Sequence, residues 1–285
     1  MDRSTRRAAI ALYDRFTHDG IERRAFMGEM ARIAGSLAAA ELLIAGISAS
    51  PAAASIVPAD DKRLATRIVT LGGYKAYVAQ QRTKSLKPTI LVIHENRGLN
   101  EHIRDIARRL ALAGFRAVAP DMLSPTGGTP ANEDAAREAI GKLDLALANA
   151  AGVAMVRALA RTSRHGKVGA IGFCWGGAFV DRLAVAAGPS LAAGVSYYGP
   201  APNPSEAVKV EAPLLLHYAG LDTRVAETAG PWVAALKAAH KKVEAFTYPN
   251  VDHAFNNDTS AERYNKPAAD LAWSRTLAFF KRYLD

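Results

Sequence analysis

From about Thr66 onward, two spacings of apolar residues alternate along the chain. Short apolar runs at residues 89–94, 115–119, 167–171, 191–198, 213–217 and 243–248 have strand length. The run Thr89-Ile90-Leu91-Val92-Ile93-His94 is almost unbroken, as expected of a parallel strand buried on both faces. Between these runs apolar residues recur at helical spacing. Ile103, Ile106 and Leu110 share one face of a helix that stops at Gly114. Residues 131–161 read as a long helical region broken near Gly141 or Gly152, and further helices are expected at 178–187, 232–240 and 267–283. Residues 67–71 and 74–79, joined by Gly72-Gly73, read as a hairpin. Strands alternating with helices predict an α/β chain: a single, mostly parallel, doubly wound sheet with helices on both faces. Such sheets bind ligands at the C-terminal ends of their strands.

Residues 1–54 follow a different pattern. Glu22-Arg23-Arg24-Ala25-Phe26-Met27 resembles a twin-arginine export signal. An Ala/Leu-rich stretch at 33–47 follows, and then the small-residue site Ser50-Pro51-Ala52-Ala53-Ala54. The expectation is a leader over 1–54, read by the twin-arginine export machinery, and an α/β domain over 55–285 in a periplasmic or exported protein. Glu41 inside the apolar stretch and the residues ahead of the arginine pair depart from that pattern. They fit the alternative, an amphipathic N-terminal helix on a cytoplasmic protein. The apolar stretch is too short and mild for a stable membrane span.

Composition narrows the chemistry. The chain has 285 residues, 49% hydrophobic and 22% charged, enough for a sizeable core. Its net charge is +9, but the Lys and Arg residues are scattered without aromatic interleaving, which reads as a solvated surface and not as a nucleic-acid site. A single cysteine excludes an intrachain disulfide, a Cys-rich zinc site and a dithiol oxidoreductase. The histidines show no H-E-x-x-H spacing.

That one cysteine stands in Gly172-Phe173-Cys174-Trp175-Gly176-Gly177, between a β-prone run and a helix-prone run. The pattern G-x-C-x-G is a nucleophile elbow with cysteine in place of serine. The tight turn leaves no room for a Cβ at Gly172 or Gly176. The helix starting at Trp175 aims its free N–H groups and positive dipole end at the sulfur, which favours thiolate.

A nucleophile needs a base and an orienting carboxylate, in the chain order nucleophile, acid, histidine. Asp222 follows the strand ending near His217, and His253 follows the strand ending at Tyr248. Cys174, Asp222 and His253 therefore fall past three strand ends in the required order. Asp252 and His217 are weaker candidates for the same roles; His217 lies inside a strand. The backbone N–H groups of Asn96 and Trp175 are the expected oxyanion-hole donors. Glu95 falls near the sulfur, where its charge would oppose the thiolate that the helix dipole and His253 favour.

These residues together resemble the dienelactone hydrolases, or carboxymethylenebutenolidases, of the α/β-hydrolase fold. The matching strings are His94-Glu95-Asn96-Arg97-Gly98, Ala119-Pro120-Asp121, the Cys174 elbow, Ala219-Gly220-Leu221-Asp222 and His253-Ala254-Phe255. H-E-N-R-G-L-N and the twin-arginine-like leader point to the exported branch. The resemblance implies a Cys174–Asp222–His253 triad with Glu95 as a partner of the resting thiol. It also implies hydrolysis of a small ester or lactone through a thioester, with no metal or organic cofactor. Known members clamp the substrate carboxylate with arginines just after the Pro-Asp strand end and a few residues beyond the histidine. Here those places read Met122-Leu123-Ser124-Pro125 and Phe255-Asn256-Asn257-Asp258. Arg97, Arg224 and Arg263 are the candidate substitutes, and a broader esterase or lactonase is the expected activity. The competing reading is a binding or thiol-redox-sensing protein on the same fold.

Overall fold

A computed structural model describes residues 3–18, 20–48, 55–83 and 85–285. The small-residue site expected around Ala54 lies outside the described residues.

The strands are β1 (Leu64–Leu71), β2 (Tyr74–Gln81), β3 (Thr89–Ile93), β4 (Arg116–Pro120), β5 (Val168–Phe173), β6 (Ala193–Tyr197), β7 (Leu214–Ala219) and β8 (Val243–Tyr248). They form one eight-stranded sheet in the order β1-β2-β4-β3-β5-β6-β7-β8. β1 and β2 make the expected hairpin, with Leu71 paired to Tyr74 across the two glycines. β2 pairs antiparallel with β4, and every pairing from β4 to β8 is parallel. The central strands β3, β5, β6 and β7 are buried along their whole length, as their unbroken apolar runs require.

Helices cover both faces. On one side α4 (Glu101–Leu112) and α9 (Lys266–Leu284) supply Ile103, Ile106, Leu110, Phe279 and Phe280 to a core layer. On the other, α6 (Leu145–Ala160), α7 (Trp175–Ala187) and α8 (Thr223–Ala238) supply Met155, Val156, Phe179, Leu183, Trp232 and Leu236. The expected break in the long helical region falls at Gly141, where α5 (Glu133–Gly141) ends; Asp144 then caps α6 through its side chain. α8 differs from its expected span. It begins at Thr223, more than two turns before Trp232, because Asp222 caps it and Pro231 is carried inside it. The proline marks no helix start here.

The N-terminal segment is folded. α1 (Arg3–His18), α2 (Arg23–Ala34) and α3 (Leu37–Ile47) share an apolar cluster of their own, in which Phe16 and Phe26 stack with centroids 4.1 Å apart. The paired arginines open α2, and Arg23 meets Asp134 of α5 at 2.6 Å. Gly35, in the left-handed region at φ 86°, and the Ser36 cap separate α2 from α3, which bend by 102°. Among the described residues no single helix is long and apolar enough to cross a membrane.

Candidate active site

β5 delivers Cys174 at the C-terminal edge of the sheet. Its backbone is forced to φ 56°, ψ −115° immediately before α7. A Cβ at Gly172 would lie 1.9 Å from Gly176 O, and one at Gly176 would lie 2.4 Å from Ile93 O. Only glycine fits at either position, so the turn stays tight and the sulfur stands above the strand end.

β7 leads into Asp222 and β8 into the turn that holds His253. Asp222 divides its carboxylate: Oδ1 accepts the Val225 N–H at 3.1 Å and caps α8, and Oδ2 accepts from His253 Nδ1 at 2.5 Å. That bond places the proton on Nδ1, and Nε2 is buried without a hydrogen-bond partner among the described residues. Asp222 and His253 are 8% and 2% exposed, so the pair acts in a dry setting. The elements thus bring Cys174, Asp222 and His253 together.

A further imidazole lies at the thiol. His18, the last residue of α1, places Nε2 3.1 Å from Cys174 Sγ. Its Nδ1 lies 2.8 Å from the Asp14 carbonyl. One donor atom each from His18, Cys174 and His253 lies within 4.8 Å of the others. Sequence reasoning does not single out His18, which falls in the segment with the composition of a leader. The available signal was the buried stripe Ile10, Tyr13, Phe16 and Thr17 along an amphipathic helix.

The electrostatics favour an ion pair. Burial would raise the Cys174 thiol, but the His18 and His253 imidazoles outweigh it and bring it down to about 5. Burial would lower His253, but Asp222 and then the thiolate raise it to about 10. Asp222 is held below the usual carboxylate range: burial opposes this, and His253 prevails.

Glu95 follows β3 and is buried. Its Oε2 accepts from Asn257 Nδ2 at 2.9 Å and its Oε1 from the Tyr198 hydroxyl at 3.5 Å. It borders the same small cavity as Cys174, although the hydrogen-bonding partner of the thiol is His18. The Asn96 and Trp175 backbone N–H groups donate to no backbone carbonyl among the described residues, as expected of a loop and of the first residue of a helix. His94 braces this loop: Nδ1 binds Glu95 O at 2.7 Å, and Nε2 accepts the Met122 N–H at 3.1 Å.

Two cavities meet at Cys174. One, of about 20 Å³, is bordered by Glu95, His253 and α1. The other, of about 260 Å³, runs past Asn96 and Trp175 to Ile140, Leu145 and Phe179, with Arg137, Arg182 and Arg224 around it. Of the three candidate substrate arginines, only Arg224 faces the larger cavity; its Nε and Nη2 are buried without a hydrogen-bond partner among the described residues. Arg97 hydrogen-bonds the Tyr13 hydroxyl and pairs with Glu133 at 3.0 Å. Arg263 pairs with Asp14 at 3.4 Å and donates to Ile47 O at 3.0 Å. Both are occupied by the N-terminal helices and α5. His217 is a core residue, bound to Thr276 and Tyr248, with burial pushing it down to about 3. Asp252 lies in a separate cavity beside Arg6 and Arg7.

Comparison with known proteins agrees with this fold. Residues 74–284 match the Dienelactone hydrolase family. An Escherichia coli O157:H7 protein provisionally named carboxymethylenebutenolidase is 32% identical over 256 residues, covering 83% of this chain and 94% of the relative. A Methylorubrum extorquens protein of the same provisional name is 33% identical over 235 residues, covering 74% and 78%. The crystal structure of a provisionally assigned dienelactone hydrolase from Klebsiella pneumoniae superposes with a TM-score of 0.71 at 29% identity, over 77% of this chain and 99% of that one. Dienelactone hydrolase from Anabaena variabilis, 20% identical with a TM-score of 0.60 over 78% of this chain and all of its own, shares the fold. The chain therefore belongs to the dienelactone hydrolase family and is a hydrolase of ester or lactone substrates on the α/β-hydrolase fold.

Proposed function

We propose that the chain hydrolyses small carboxylic esters or lactones through Cys174, by way of a thioester. The observation that carries this reading is the thiol on the strained turn, drawn down to about 5, facing an Asp222-supported His253 raised to about 10. Between those values the resting pair is thiolate and imidazolium.

The thiolate attacks the substrate carbonyl carbon and a C–S bond forms. The carbonyl oxygen takes the negative charge and is received by the Asn96 and Trp175 N–H groups. As the intermediate collapses, the C–O bond to the leaving group breaks and His253 Nε2–H protonates the departing oxygen. His253, now neutral, takes a proton from water. The hydroxide attacks the thioester, the C–S bond breaks, the acid leaves and the thiolate–imidazolium pair is restored.

The larger cavity supports a substrate with an apolar body and an anionic group. Its wall combines Ile140, Leu145 and Phe179 with Arg224, whose free guanidinium N–H groups suit a carboxylate. The test is hydrolysis of p-nitrophenyl acetate, p-nitrophenyl butyrate, a simple lactone and a cis-dienelactone by the parent, Cys174→Ala and Arg224→Ala. The expected result is loss of hydrolysis of every substrate in Cys174→Ala. Arg224→Ala is expected to raise KM about tenfold or more for the anionic dienelactone and to leave the uncharged esters within about twofold. Full activity in Cys174→Ala would refute the mechanism. An unchanged preference in Arg224→Ala would refute the anion-binding role.

A further inference from the structure

The N-terminal helices are built into the hydrolase surface at the reacting atom. At α1, Tyr13 receives the Arg97 side chain on its hydroxyl, and the Arg97 and Arg263 guanidinium carbons lie 5.7 and 5.3 Å from its ring centroid. Arg137 Nη1 donates to Phe16 O at 3.0 Å, and Arg6 pairs with Glu262 at 2.7 Å. At the end of α3, Ile47 O accepts from Ser260 Oγ at 2.5 Å, and Gly46 O accepts the Glu262 N–H at 3.0 Å. Ser260 and Arg263 are 0% and 7% exposed. The buried hydrogen bonds from Ser260 and Arg263 to Ile47 O define one docked position, which ends in His18 against the thiol.

We propose that α1–α3 is a standing cap of the active site and that its His18 is a catalytic residue, a second imidazole that takes the Cys174 proton and holds the thiolate before the ester arrives. The proposal rests on the reading of Cys174 as nucleophile. A carbonyl oxygen only accepts, so the 2.8 Å contact with Asp14 O puts the hydrogen of the neutral His18 ring on Nδ1. The Nε2 lone pair then faces S–H at 3.1 Å. Proton transfer breaks the S–H bond and forms Nε2–H, with no change of tautomer or ring position. The thiolate stays hydrogen-bonded to the new imidazolium. His253 keeps its own proton, supported by Asp222, for the leaving oxygen. The two histidines thus divide the work: one holds the nucleophile and the other serves the leaving group and water. His18 is the first of the two imidazoles in drawing the thiol down. It and Thr17 also border both cavities, so the cap shapes the space that the acyl group enters.

The other charged groups around His18 stay in place when it is changed. On the small-cavity side they are Glu95, Arg97, Arg263 and His253. Arg137, Arg182 and Arg224 stand on the large-cavity side, and Asp14 of α1 is paired with Arg263.

The test is the pH dependence of Cys174 alkylation by iodoacetamide, followed by intact mass on the full chain, for the parent, His18→Ala and His18→Gln. The glutamine variant keeps side-chain length without a titrating ring, so it guards against lost folding in the alanine variant. The parent should show an acid limb centred near pH 5. Both variants should shift it upward by about one unit or more, slowing alkylation at pH 5 several-fold, and the acid limb of kcat/KM should move with it. An unmoved midpoint in both variants would overturn the role of His18. This readout is separate from ester hydrolysis, so it distinguishes failure of the proposal from failure of the Cys174 mechanism. Intact mass of the protein purified from its native cells tests the cap itself. A mature chain that keeps residues 3–47 supports it, and one that begins at Ser55 overturns it in favour of a removed leader.

Discussion

Two glycines of the elbow show how one missing carbon sets a site. A Cβ at Gly172 would meet backbone, Gly176 O, at 1.9 Å, which no rotamer change can relieve. Gly172→Ala should therefore destabilise the fold by about 3 kcal/mol or prevent folding, as read from a urea melt. Gly28, inside α2 with nothing within 4 Å of its would-be Cβ, is the contrast. Gly28→Ala should stabilise by about 0.5–1 kcal/mol, since only helix propensity changes. Equal effects of the two substitutions would contradict this steric account. The elbow was legible in sequence because its glycines and cysteine fall together within Gly172–Gly177, although Gly176 is held to glycine by Ile93 O of β3. His18 was not legible, because it lies 156 residues from the thiol and nothing local marks a helix-end histidine as its partner.

At the scale of elements, the residues of the proposed chemistry sit just past strand ends. Asp222 serves both a helix and a histidine, through different oxygens. Asp222→Asn keeps an oxygen for the α8 cap but offers His253 an amide, which favours the wrong tautomer. Asp222→Ala loses both. Both variants should reduce kcat by about 100-fold or more. Only the alanine should add a stability loss of about 1 kcal/mol, a Tm drop of about 2–4 °C. Equal Tm values for the two would show that the cap contributes nothing. The placement of Asp222 and His253 was readable because buried parallel strands announce themselves as apolar runs, and the residues just past them lie at the ligand-binding edge. The start of α8 was hidden because it depends on the Asp222 side-chain cap, which lies upstream of the apolar spacing that begins at Trp232. The N-terminal helices were hidden for a related reason. The small apolar residues of α3 and the arginine pair opening α2 have the composition of a leader, while the packing of these helices rests on contacts with Arg97, Glu262 and Arg263.

For the whole molecule, a buried acid links stability to pH. Asp181 of α7 is fully buried, and burial raises its carboxyl to about 7 against the pull of Ser196 and Trp232. The folded-state value lies above the unfolded one, so the unfolded chain ionises first. The carboxyl costs no ionic penalty below about pH 4, loses stability as pH rises toward 7, and carries the full penalty above 7. Asp181→Asn should therefore raise Tm more at pH 8 than at pH 4. An equal Tm change at both pH values would mean that the carboxyl is not raised.

The central claim is a covalent bond between the substrate acyl group and Cys174. It is tested most directly by quenching p-nitrophenyl butyrate turnover in acid within the first turnovers and measuring intact mass, followed by peptide mapping. His253→Ala should slow thioester hydrolysis and let the adduct accumulate. A butyryl adduct is expected on the peptide carrying Cys174, present in the parent and in His253→Ala and absent in Cys174→Ala. A butyryl adduct at another residue, or turnover that persists in Cys174→Ala, would contradict it.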